Sequence, residues 1–173
     1  MTIDPAIVWL VGRDALWAGV AALGFAILFN VPVRALAACF VNGALGHALR
    51  TILMHYGVGI EAATLAGAVL IGSLGVGCAR LWKAPAPVFT VPGAITLVPG
   101  TFAFHTMLGL LQLAAATNSD AGADILWNIS FNATKTALIL AAIAVGIATP
   151  TLLFGPQKAG GVSMDIQLEK RMG

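Results

Sequence analysis

The sequence predicts an all-α fold: a polytopic transmembrane helix bundle of about five spans, the fourth discontinuous at Pro92 and Pro99. Three observations carry this. First, of 173 residues, 59% are apolar and only 9% charged, where a soluble domain carries roughly 25% charged residues. Nine Lys/Arg and seven Asp/Glu cannot coat a water-soluble globule of this size. Second, the apolar residues fall into runs of about 20 or more, the length that crosses a bilayer. Third, the basic residues fall on alternate loops, as an odd number of spans requires. Together these exclude a soluble enzyme and a disordered tail protein. A net charge of +2 is too small for a nucleic-acid footprint, so no nucleic-acid partner is expected.

The first apolar stretch runs from about Ala6 to Phe29 and ends at Asn30-Val31-Pro32, because Pro fixes its own backbone and disfavours helix in the residue before it. The second covers about Ala35 to Tyr56. The third covers Ala62 to Trp82 and carries small residues four apart: Ala63 and Gly67, Ala68 and Gly72, Ser73 and Gly77. Such spacing lets helix backbones approach closely in lipid. The fourth begins near Val88 and fades by Ala116. In it Val91-Pro92-Gly93 recurs as Val98-Pro99-Gly100, and each pair removes a donor and loosens the backbone. This span is either discontinuous or kinked. A polar loop over Thr117–Asp124 leads to the fifth span, Ile125 to Phe154. Residues 1–155 then form the bundle and residues 156–173 a short polar cytoplasmic tail. Cys39 and Cys78 sit in apolar runs and read as small buried hydrophobes.

Loop charge sets the topology. Arg34, Arg80, Lys83, Lys158, Lys170 and Arg171 lie on one side, and Asp4, Glu61, Asp120 and Asp124 on the other. Cytoplasmic loops are enriched in Lys and Arg. The expected arrangement is N-terminus outside, C-terminus inside, in a bacterial inner membrane.

Ionisable residues within a span are costly and mark substrate or ion paths. Asp14 lies in the first span, His47 and Arg50 in the second, Lys135 in the fifth. At a rise of about 1.5 Å per residue, all four fall roughly 9 to 15 Å from the outer ends of their spans. The expectation is one charged layer. Asn42, Gly46 and Arg50 share a face of the second span, and Asn128, Asn132 and Lys135 form a polar stripe on the fifth. Arg13 reads as a side chain that snorkels to the interface. His47 can carry a proton near neutral pH. No phosphate-cradling loop, zinc signature or nucleophile elbow occurs, so neither an enzyme nor a cofactor or metal site is expected.

The segment Gly24-Phe25-Ala26-Ile27-Leu28-Phe29-Asn30-Val31-Pro32-Val33-Arg34 resembles the end of the first span in the threonine/serine exporter family, in its small YjjB-type subunit. Gly46-His47-Ala48-Leu49-Arg50, Val88-Phe89-Thr90-Val91 and Val98-Pro99-Gly100 continue the match, and Asp14 falls where the family pattern places an aspartate. The resemblance covers roughly residues 10 to 155. It implies export of threonine and serine, or of dicarboxylates such as succinate, and a separate YjjP-type membrane subunit as partner. Fused members of the family look like two membrane halves, the second similar to this chain.

The substrate-binding candidates are therefore Asp14, Asn30, His47, Arg50, Pro99, Gly100, Asn132 and Lys135. Arg50 is the anion anchor, since guanidinium suits a carboxylate. Asp14 is its counter-ion or the carrier of a coupling proton. The breaks at Asn30-Val31-Pro32 and Val98-Pro99-Gly100 offer backbone groups to the substrate. Lipids and further copies of the chain are expected neighbours. The other readings are a structural subunit that stabilises a transporting partner, and a channel.

Overall fold

A computed structural model of the chain describes residues 5–115 and 119–154. The expected tail over 156–173 and the N-terminal Asp4 lie outside the described residues. Six helices follow one another: α1 (Pro5–Leu28), α2 (Val33–His55), α3 (Ile60–Trp82), α4 (Pro87–Ile95), α5 (Gly100–Ala115) and α6 (Ser119–Phe154). Four are long and apolar enough to cross a membrane, and α4 with α5, counted as one bent span, makes five. The protein is an all-α membrane bundle.

The ends of α1, α2 and α3 are built alike. Asn30 takes a positive φ of 57° after α1, and the Val31 amide donates back to the Ala26 carbonyl at 2.9 Å while Asn30 donates to Ile27. This closes the helix with a left-handed residue, a conformation Asn tolerates. Gly57 (φ 83°) and Lys83 (φ 51°) do the same after α2 and α3, with Val58 donating to Leu53 and Ala84 to Ala79. Pro32 then starts α2 without losing a helix bond, since early helix amides have no partner in any case.

Helices α1, α2, α3 and α6 stand in a row, each packed on the next, and α4 lies across α1, α2 and α3. The contacts are close because the residues are small. A Cβ on Gly67 would sit 2.7 Å from the Gly46 carbonyl, and one on Gly43 would meet the Ala22 side chain at 2.5 Å. Of the small-residue pairs in α3, Ala63 is buried and Gly67 faces α2, while Ala68 and Gly72 face α6, whose Gly146 lies against Ala68. Ser73 and Gly77 are exposed instead.

Two sequence expectations change here. Pro92 does not break the fourth span; it sits inside α4. Its missing amide leaves the Val88 carbonyl without a helical donor, and the Cys39 thiol supplies one at 3.4 Å. The break lies at Thr96–Pro99, where α4 and α5 meet at 56°. The expected loop before the fifth span is also shorter: α6 begins at Ser119 and runs 36 residues.

Candidate functional site

The chain breaks at 96–99 because Pro99 cannot donate to Ile95. The turn tightens instead: Thr96, Leu97 and Val98 donate to carbonyls three residues back, and Gly100 donates to Val98 at 2.9 Å. A broken helix frees carbonyls that a continuous one would use. The Leu97 carbonyl is one of these, and Arg50 Nη1 donates to it at 3.1 Å. Arg50 reaches it because α2 crosses α4 closely at Gly43 and Gly93.

Asn42 fixes that crossing. It lies two turns below Arg50 on the same face of α2 and is only 1% exposed. Its amide nitrogen donates to the carbonyls of Phe89 at 2.9 Å and Ile71 at 3.2 Å, tying α2 to α4 and α3. Its Oδ1 has no hydrogen-bond partner among the described residues. In a medium without water, each carbonyl left bare costs free energy, so this side chain locks three helices at once. The Asn42–Gly46–Arg50 spacing was the sequence signal for it, though it marks a clamp rather than a ligand.

Above this clamp, α1 and α2 border an open cavity of about 410 Å³ lined by Leu10, Asp14, His47, Arg50, Thr51, Met54 and His55. His47 lies within electrostatic reach of both Arg50 and Asp14 and close to the Thr96 backbone. Its Nδ1 is buried and unpartnered among the described residues. The ion pair of Asp14 is with its neighbour Arg13, at 3.7 Å. The cavity thus holds a guanidinium with donors to spare, a half-buried carboxylate and an imidazole. It can take a carboxylate-bearing molecule. Thr51 and His55 complete the lining and were not singled out from the sequence.

The other predicted residues lie elsewhere. Lys135 pairs with Glu61, which belongs to the first turn of α3. It therefore stands at the edge of the bundle. The depth count misplaced it because α6 is far longer than a span, so its start is no measure of the membrane surface. Asn132 lies between α5 and α6 with His105, Gln112 and Asn128, in a separate cavity of about 190 Å³. Asn30 is exposed and closes α1. Pro99 is buried and Gly100 exposed at the break. The expected single layer is therefore the Asp14, His47 and Arg50 cluster alone.

The model of the family described as "Threonine/Serine exporter, ThrE" matches residues 14–153. The chain belongs to the threonine/serine exporter family. The match starts at Asp14 and ends just before the last residue of α6, so it takes in the cavity, the clamp and the break. A protein of Haemophilus influenzae, described as uncharacterized, is 39% identical over 145 residues, 84% of this chain and 48% of that protein. The chain thus spans about half the length of the curated relative it matches. No solved structure matches it. The family's description is that of an exporter, and its model covers residues 14–153 of this chain.

Proposed function

We propose that this chain is the membrane subunit of a secondary exporter for small carboxylate-bearing metabolites: amino acids of the threonine/serine type, or dicarboxylates such as succinate. It works with a second, YjjP-type membrane subunit in a bacterial inner membrane, with the N-terminus outside and the C-terminus in the cytoplasm. The observation that carries this reading is the Arg50 guanidinium, held by the Leu97 carbonyl at a helix break and lining a cavity with Asp14 and His47.

The chemistry follows from the donor geometry. Leu97 takes one N–H of Arg50. A guanidinium has five, in a planar fork that matches a carboxylate. The bond to Leu97 removes rotamer freedom before substrate arrives, which lowers the cost of binding. Asp14 balances the charge, and it receives either the ammonium of an amino acid or a coupling proton. The His47 ring supplies a further hydrogen-bonding group beside Arg50. The break itself is the hinge, since freed backbone at membrane depth lines transport sites.

Counterflow in proteoliposomes tests the proposal. Liposomes loaded with threonine, serine or succinate should take up the same labelled compound when both subunits are present. Uptake should disappear with Arg50→Ala in a protein that still inserts. Passive, non-saturable flux would make the protein a channel. Unchanged counterflow in Arg50→Ala would remove the anion-anchor role.

A further inference from the structure

A second polar cluster lies apart from Arg50. Helix α4 with α5 makes one bent span and α6 another. Helices α5 and α6 approach closely at Gly109, where a Cβ would sit 2.6 Å from the Ile129 side chain. Beside this contact they border a cavity of about 190 Å³, lined by His105 and Gln112 of α5 and by Asn128 and Asn132 of α6. The spacing of each pair, i to i+7 on α5 and i to i+4 on α6, puts both members on one helix face. Four polar side chains thus converge between two spans.

These side chains do not satisfy one another. Asn128 Nδ2 donates to the Asp124 carbonyl at 3.0 Å and Asn132 Nδ2 to the Asn128 carbonyl at 2.7 Å, each within its own helix. The side chains of His105 and Gln112 have no hydrogen-bond partner among the described residues. Polar side chains between spans ordinarily bond across the contact, and unpaired polar groups in lipid cost free energy. Here the cavity holds the two walls apart, so a hydrogen-bonding molecule in the gap is what satisfies both. At about 30 Å³ per water, the space equals about six waters, the size of a small metabolite. Beyond Phe102, which reaches the core, α5 packs on α6 and on no other helix among the described residues. A molecule held here therefore bears on the arm that leaves the break at 96–99.

Charge selects the occupant. The lining contains no Lys, Arg, Asp or Glu. Lys135, next along the α6 stripe, is taken by Glu61, and Asp124 stands one turn before Asn128. Nothing here neutralises a dianion, and burying unpaired charge is costly. Carboxamides and imidazole offer donors and acceptors together, which suits a molecule with both and no net charge. We propose that the α5–α6 cavity is a second small-molecule site, separate from the Arg50 cavity, that takes net-neutral, hydrogen-bonding solutes such as a hydroxylated amino acid and turns away dianions. This rests on the export reading above and separates its two substrate classes: the amino acid fits both cavities, the dicarboxylate only that of Arg50.

Protection from alkylation in membrane vesicles tests it without requiring transport. The full chain carries Cys39→Ser, which keeps a donor for Val88, and Cys78→Ala. A single cysteine is then placed in the cavity wall by Leu108→Cys on α5 or Ile125→Cys on α6, with Trp17→Cys on α1 as control. Threonine or serine should slow N-ethylmaleimide labelling of both cavity cysteines in a saturable manner; succinate should not, and Trp17→Cys should be unaffected. Adding Arg50→Ala should leave this protection in place. Adding Asn132→Leu or Gln112→Leu should raise the threonine concentration it needs about fivefold, the loss of one hydrogen bond. Equal protection by succinate, or protection of Trp17→Cys, overturns the proposal. So does loss of protection in Arg50→Ala, which would make the Arg50 cavity the one site. Counterflow without protection at either cavity cysteine keeps the export reading and leaves this cavity to water. Protection without counterflow keeps this site and discards the export reading.

Discussion

Arg50 and Asn42 occupy one face of α2 and do different work. Asn42 is buried and has two carbonyl acceptors, Phe89 and Ile71, so it acts on stability. Replacing it with Leu removes two buried hydrogen bonds, each worth about 1 kcal/mol with a further penalty for the bared carbonyls. The expected outcome is a midpoint of thermal unfolding in detergent lowered by several degrees, with Asn42→Asp no better because the carboxylate has no N–H to donate. A midpoint equal to the parent would show that the clamp is dispensable. Arg50 keeps donors for a ligand. Losing a charge-assisted hydrogen bond of about 1.5–3 kcal/mol predicts a 10- to 100-fold weaker apparent affinity in Arg50→Lys. There the ammonium keeps charge but loses the fork. Saturation curves of counterflow measure this, and an unchanged curve would show that charge alone suffices.

At the scale of the element, the decisive feature is the break between α4 and α5. Pro99 forces it by withholding a donor from Ile95. Pro in a helix interior costs about 3 kcal/mol relative to Ala. The double substitution Pro99→Ala, Gly100→Ala therefore favours a straight helix, in which the Leu97 carbonyl is taken by the backbone and Arg50 loses its anchor. The expected outcome is export reduced as severely as in Arg50→Ala with normal membrane insertion. Distances between spin labels at Val91 and Leu110 should lengthen as the 56° bend opens. Pro92→Ala should differ. Pro92 lies inside α4 and its orphaned carbonyl is already served by Cys39, so transport should change little; a loss matching Pro99→Ala would place the hinge at Pro92 instead.

For the whole molecule, a row of four helices with α4 across one face encloses only a small interior. Alternating access usually needs two related halves around a midplane site. The chain alone in liposomes is expected to give no flux, and flux is expected to appear with its partner; robust flux from the single chain would drop the hetero-partner argument. Sidedness is tested by labelling in intact cells. Ala123→Cys, exposed near the start of α6, should react with an impermeant thiol reagent, and Ser163→Cys should not. The reverse pattern would invert the topology.

The sequence alone determined the class, the number of spans and the cluster of Asp14, His47 and Arg50. These depend on local quantities: the length of apolar runs, the 3.6-residue period, and the cost of charge in lipid. It also marked Pro99 as a break, because Pro removes a donor wherever a helix passes. Tertiary structure alone decided the rest. Pro92 carries the same local signal as Pro99, yet stays helical because a thiol from α2 satisfies the carbonyl it exposes. Lys135 reads as buried by counting from the start of its helix, yet stands at the bundle edge because Glu61 of α3 meets it there. Asn30, beside a break in the sequence reading, takes the left-handed backbone that closes α1. In each case the deciding partner lies on another helix or in the chain's own three-dimensional turn. Neither the spacing of residues nor the hydropathy of a run encodes how far one helix overshoots its neighbour.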